Sequence, residues 1–148
     1  MSIEENKAAE RRFYEEVWHK HHLGYVDELV APEVVEHNPA VPGQGPGLEG
    51  FRQMIAMALS AFPDVQITIE DLVAEGDKVV VRWMGRGTHR GEFMGIPPTN
   101  KQVTPAGIDI WRYEGGKRVE SWRQWDLLGL MQQLGVVPTP GQGQRKPS

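Results

Sequence analysis

Residues 117–135, KRVESWRQWDLLGLMQQLG, constrain the fold most, because the apolar period changes inside them. From Lys117 to Asp126 the residues alternate as in an extended chain: Val119, Ser121, Arg123 and Trp125 against Glu120, Trp122, Gln124 and Asp126. Leu127, Leu130, Met131 and Leu134 then recur at helical spacing, and Gly135 follows as a stop. Just upstream, Gly115-Gly116 is the strongest hairpin signal in the chain, since both glycines accept positive φ. The end of the chain therefore reads as strand, tight turn, strand and short helix, with one carboxylate, Asp126, at the strand-to-helix junction. Asp126 sits between Trp125 and the Leu127-Leu128 pair. It either caps the helix or points into a pocket, where partial desolvation would suit it to general acid or base work.

The remaining pattern fills in an α+β chain. Ile3 to Lys20 reads as an amphipathic helix with Ala9, Phe13 and Val17 on one stripe and Ser2 as N-cap. A short helix over Tyr25–Val30 follows, then an extended Val34–His37 and a Pro/Gly loop, NPAVPGQGPG, at Asn38–Gly47. Leu48–Phe62 is a second strong helix, with Phe51, Met54, Ile55, Ala58, Leu59 and Phe62 at spacings of three and four. Pro63 ends it. Strands are expected at Val65–Glu70, Lys78–Gly87, Lys101–Glu114 and Lys117–Trp125, with a long loop at Thr88–Asn100. Helices first and hairpin-linked strands afterwards indicate segregated α+β. The expected architecture is a cone-shaped α+β barrel: a curved, mainly antiparallel sheet with the N-terminal helices laid across one face to enclose a pocket. One domain is expected over residues 1–136, and a fraying tail over 137–148.

The hairpin gives a testable register. A two-residue turn pairs Glu114 with Lys117, Trp111 with Glu120, Asp109 with Trp122 and Gly107 with Gln124. Asp109, Trp111, Trp122, Gln124 and Asp126 then share one face, the composition of a ligand pocket, and Ile108, Ile110, Val119, Ser121 and Arg123 share the other.

Composition excludes several function classes. The formal net charge is −4, so no global field draws nucleic acid or anionic lipid. There is no Cys, hence no disulfide, no thiolate metal site and no Cys nucleophile, which fits a cytoplasmic setting. The N-terminus is too charged for a signal peptide, and no apolar run reaches the roughly 18 residues of a membrane span. His19, His21 and His22 (HKHH) lack a completing acid or thiolate and read as cations at a helix C-terminus rather than as a metal site. GQGPG at Gly43–Gly47 lacks the GK[ST] of a phosphate loop.

Five stretches in order, EHNP (Glu36–Pro39), GLEGFR (Gly47–Arg52), GTHRGEFMGIPPTNKQV (Gly87–Val103), GIDIWRYEGGKRVESW (Gly107–Trp122) and WDLLGLMQQLG (Trp125–Gly135), resemble the SnoaL-like polyketide (ester) cyclases of the nuclear transport factor 2 superfamily. The resemblance covers most of residues 10–135. It implies intramolecular aldol closure of a small apolar carbonyl substrate, a polyketide ester, without metal or cofactor, in a homodimer formed through the sheet. It also implies Asp126 as the acid/base. Asp109 is a second carboxylate that would act beside it, or pair with Arg82 or Arg123. His89 is read as a donor to a substrate carbonyl or an exposed loop histidine, and His37 as a pocket donor or one bonded to loop backbone. Trp111, Trp122 and Gln124 would line the substrate site. A hydrolase or isomerase on the same fold, or a non-catalytic dimer binding a small apolar ligand, is the alternative.

Overall fold

The computed structural model describes residues 2–138; most of the expected tail lies outside the described residues. The first helix, α1 (Ile3–Phe13), opens with a capping box in which Ser2 and Glu5 satisfy each other's backbone donors. It runs on into a π-helical stretch at Tyr14–His19, so the expected helix to Lys20 is present but widens after Phe13. Phe13 and Val17 are buried, as the stripe requires. His19 ends this segment by accepting the Ile67 N–H at Nε2 (3.0 Å), while Nδ1 lies 3.1 Å from Glu15. His22 lies 2.8 Å from Glu16. These contacts tie the helix end to the sheet edge.

The remaining elements are α2 (Gly24–Leu29), β1 (Val30–Glu36), α3 (Gly47–Ala61), β2 (Gln66–Glu75), β3 (Lys78–Thr88), β4 (Gln102–Val103), β5 (Ala106–Glu114), β6 (Lys117–Trp125) and α4 (Leu127–Leu134). The sheet order is β1-β6-β5-β3-β2, with β4 on β3. All pairs are antiparallel except β1 on β6. The fold is mixed α+β with a curved open sheet, as expected. α1 and α3 meet over the sheet's inner face, where Phe13 stacks on Phe51 (6.0 Å between centroids) and Phe51 meets Trp111 edge-on (5.5 Å). No helix among the described residues is long and apolar enough to cross a membrane.

Two details depart from the sequence reading, and both shape the site. The expected strand Lys101–Glu114 is broken at Thr104–Pro105, because proline has no N–H for the ladder. The Pro105 carbonyl still accepts the Gly85 N–H. The hairpin turns as expected, with Gly115 at φ 59° and Gly116 at φ 81°, and Glu114 faces Lys117. Tyr113 then faces Arg118, but Arg112 faces Glu120, so Val119 is an extra residue in a β-bulge. Beyond it every pair shifts by one. Trp111 faces Ser121, Ile110 faces Trp122, Asp109 faces Arg123 and Gly107 faces Trp125. The expected face is thus half right. Asp109 and Trp111 point inward, but Trp122 and Gln124 go to the outer face, and Ser121, Arg123 and Trp125 replace them inside.

Candidate active site

The inner face of the sheet, α1, α3 and the loop after β1 enclose a cavity of about 120 Å³. Its wall is almost entirely apolar and aromatic: Phe13, Tyr14 and Trp18 from the first helix, Phe51 and Met54 from α3, and Trp83, Trp111 and Trp125 from the strands. Its polar groups are few. Asp109, Arg118 and Arg123 are the charged residues on the wall.

Gly107 shapes one side. A Cβ there would lie 2.6 Å from the Trp125 Cβ and 2.8 Å from Trp83 Cζ2, so only glycine lets the two indoles close over β5. Their centroids are 6.4 Å apart. Trp125 Nε1 also donates to the Ala40 carbonyl (2.7 Å), which fixes the 38–47 loop as a wall of the cavity. The same loop docks on α3 at Gly50, where a Cβ would fall 1.7 Å from the Gly45 carbonyl oxygen.

Asp109 is the carboxylate the cavity holds. It is 5% exposed. Oδ1 accepts from Trp83 Nε1 (3.4 Å) and sits 3.3 Å from Arg123 Nε. Oδ2 has no hydrogen-bond partner among the described residues. Arg123 spans two acids: its Nη2 lies 3.4 Å from Glu36 Oε1, an ion pair without hydrogen-bond geometry, while its buried Nη1 has no partner among the described residues. The cavity wall therefore carries a carboxylate with one free oxygen whose other oxygen is held by a buried guanidinium. Pairing with Arg123 was one of the two readings open for Asp109 in the sequence.

A second buried pair braces the wall. Arg118 Nη2 meets Glu10 Oε2 at 2.5 Å, and the Tyr113 hydroxyl donates to Glu10 Oε1 at 2.5 Å. The guanidinium carbon of Arg118 lies between the Phe13 ring (3.7 Å) and the Trp111 ring (4.3 Å). Burial alone would lower the Arg118 guanidinium, but Glu10 against it more than offsets this and holds it above its ordinary range.

The other residues singled out in the sequence sit elsewhere. Asp126 is exposed, and its Oδ1 accepts the Gly129 N–H (2.7 Å) as the N-cap of α4. It does not line the cavity, because the bulge at Val119 turns its side chain away from Asp109. Trp122 is half-buried on the outer face, stacked on the His37 ring (5.0 Å between centroids). His37 Nε2 lies 2.5 Å from Glu120, so His37 belongs to that outer cluster and not to the pocket. Arg112 and His37 together hold the Glu120 carboxyl below the usual carboxylate range. Gln124 is exposed beside them.

His89 is fully buried rather than exposed. Its Nδ1 accepts the Thr99 N–H (3.2 Å), so Nε2 carries the ring proton and has no partner among the described residues. It packs against Phe62, which lines the cavity, but does not itself reach the wall. The sequence reading missed Glu36 and Trp83 and put Arg123 on the opposite face. Their only signal was chemical type on the alternating strands, and the register decided their face.

The model of the SnoaL-like polyketide cyclase family matches residues 8–134. Among curated proteins, the aklanonic acid methyl ester cyclase DnrD of Streptomyces peucetius is 32% identical over 123 residues, 80% of this chain and 78% of that protein. The nogalonic acid methyl ester cyclase of Streptomyces nogalater is 29% identical over 115 residues, 74% of this chain and 83% of that protein. Among solved structures, TsrD from Streptomyces laurentii superposes with a TM-score of 0.82 at 32% identity, over 93% of this chain and 99% of that one. With the family model spanning nearly the whole described chain, and with relatives and structural neighbours agreeing, this chain belongs to the SnoaL-like polyketide cyclase family.

Proposed function

We propose that this chain closes a ring within a polyketide ester by an intramolecular aldol reaction, with Asp109 as the acid/base. The observation that carries the reading is the free Oδ2 of a buried Asp109 on the cavity wall, with Arg123 held against its Oδ1. Asp109 Oδ2 takes a proton from the carbon between two carbonyls of the substrate. The electron pair of that C–H bond passes to the neighbouring carbonyl oxygen as an enolate, and the positive charge of the Arg123 guanidinium on the wall stabilises it. The enolate carbon attacks a second carbonyl of the same chain, forming one C–C bond and an alkoxide. Asp109 returns its proton to that alkoxide, so the product is an isomer of the substrate. The apolar aromatic wall holds the chain folded for attack, and positioning of this kind supplies much of the rate. In this reading neither a metal nor a cofactor takes part, and Asp126 serves as the cap of α4.

The substrates named for the two curated relatives, aklanonic acid methyl ester and nogalonic acid methyl ester, are the first to try. Cyclisation yields a product of unchanged mass and altered absorbance, whereas a hydrolase would split the methyl ester into methanol and an acid lighter than the substrate by one CH2. Appearance of that acid alone would replace the cyclase by the hydrolase.

The same reading makes the chain a homodimer. Val73, Met84, Ile108 and Val35 are each about half exposed on the outer sheet face, apolar residues spread over four of its strands that a second copy would cover.

A further inference from the structure

Glu36 is the last residue of β1, and its side chain turns inward between the exposed Val35 and His37. Its two oxygens face different partners. Oε1 lies 3.4 Å from Arg123 Nη2, and Oε2 accepts from the side-chain amide of Gln44. Gln44 belongs to the 38–47 loop, and its own Oε1 accepts the Ala40 N–H at 3.0 Å. Ala40 and Val41 line the cavity, and the Ala40 carbonyl holds Trp125. An unbroken set of side-chain contacts therefore joins the loop at the cavity wall to the guanidinium inside it.

The geometry at Arg123 gives these contacts a consequence. Nε and Nη2 form one edge of the planar fork, and a single carboxylate usually takes both. Here the edge is divided, Asp109 on Nε and Glu36 on Nη2. Two acids a short distance apart fix the plane of the guanidinium, and Nη1 is the group left unpaired. With Glu36 absent, Asp109 alone would hold Nε and the plane of the guanidinium could turn about it.

We propose that Glu36 is a positioning residue that fixes the Arg123 guanidinium on the cavity wall against Asp109, and that Gln44 makes this placement depend on the seating of the 38–47 loop. Its bearing on turnover rests on the proposed reaction; the positioning itself can be tested without any substrate.

The test reads the Arg123 Nε–Hε resonance in nitrogen-15-labelled protein, assigned by its loss in Arg123→Lys. In the parent chain this proton should exchange slowly with water. In Gln44→Leu, and in Glu36→Leu, exchange should speed up by about tenfold or more, the effect of loosening or removing one half of a buried ion pair. Gln44 lies on a loop, so Gln44→Leu should stay folded even if Glu36→Leu does not. A role confined to stability would lower the melting temperature and leave this resonance protected. Protection retained in a folded Gln44→Leu chain overturns the proposal. Turnover of an Asp109→Asn variant tests the proposed reaction separately, since it leaves Glu36 and Gln44 in place. If the chain does turn over a methyl ester, Gln44→Leu should lower kcat more than it changes KM, because the guanidinium acts on charge that develops only in the transition state.

Discussion

Removing either partner of the Glu10–Arg118 pair should be among the most damaging single changes outside the proposed reaction centre, and the two removals should differ. Glu10 and Arg118 are 0% and 2% exposed, 2.5 Å apart, and joined by the Tyr113 hydroxyl. Breaking a buried pair from one side costs about 3–5 kcal/mol, because a charge stays behind without a partner. In a chain of this size each kcal/mol moves the melting temperature by about 2–4 °C, so the expected loss is about 6–20 °C.

The difference lies in how the survivor escapes. After Arg118→Met, Glu10 can take up a proton, and burial already pushes its carboxyl upward. The methionine also keeps the stem between Phe13 and Trp111. After Glu10→Gln, the arginine cannot give up its charge. Glu10→Gln should therefore be the costlier change, and the cost of Arg118→Met should shrink as the pH is lowered and Glu10 is neutralised. The double variant should recover much of the sum, since replacing a whole buried pair is far cheaper than halving it. Urea unfolding at several pH values, followed by near-ultraviolet circular dichroism, measures all four proteins. Two small, additive, pH-independent losses would refute the reasoning and show that the pair does not brace the wall.

Four further outcomes follow from the geometry. Glu36→Gln should become more stabilising relative to the parent as pH rises. Burial pushes the Glu36 carboxyl above its usual range, ahead of the opposing pull of Arg123 and Gln44, so its contribution to stability is present below about pH 4.5 and fades as the pH climbs through the raised value; equal melting-temperature differences at pH 4 and pH 8 would count against this. Asp126→Asn should leave stability unchanged, because Asn and Asp cap equally well, while Asp126→Ala should lose about 0.5–2 kcal/mol in denaturant unfolding. Gly107→Val should lower stability and turnover together by driving Trp83 and Trp125 apart, and their fluorescence should shift with it; an unchanged spectrum would argue against the close approach. Ile108→Glu on the outer face should turn a dimer into a monomer in sedimentation without altering the cavity, and a parent chain that is already monomeric at tens of micromolar would remove the dimer from the account.

Much of this fold was legible in the chain. The period-3.6 stripes gave the helices: Phe13 and Val17, and then Phe51, Ile55 and Leu59, are buried as their spacing requires. The paired glycines gave the hairpin and its first pair, Glu114 with Lys117. What followed was not legible, because the bulge falls at Val119, a residue with no turn chemistry to mark it. One extra residue reversed the face of everything after it, so Trp122 and Gln124 changed places with Ser121 and Arg123.

The buried charges were hidden for another reason. Glu10 meets Arg118 across 108 residues of sequence, and in the chain each reads as an ordinary surface charge. Asp126 carried two readings at once, cap and acid. The chain alone did not separate them, because both need a carboxylate at the same junction. The cap geometry to Gly129 is what distinguishes Asp126 from Asp109.

The central claim is that the reacting carboxylate is Asp109. The most direct measurement is the turnover number of Asp109→Asn against that of Asp126→Asn on whichever methyl ester the parent chain cyclises, with melting temperatures taken on the same preparations. The account predicts a fall of about 10²–10⁴ for Asp109→Asn, the usual contribution of a general acid–base group, and parent-like turnover for Asp126→Asn. A folded Asp109→Asn chain that keeps its turnover, with activity lost instead in Asp126→Asn, would contradict it.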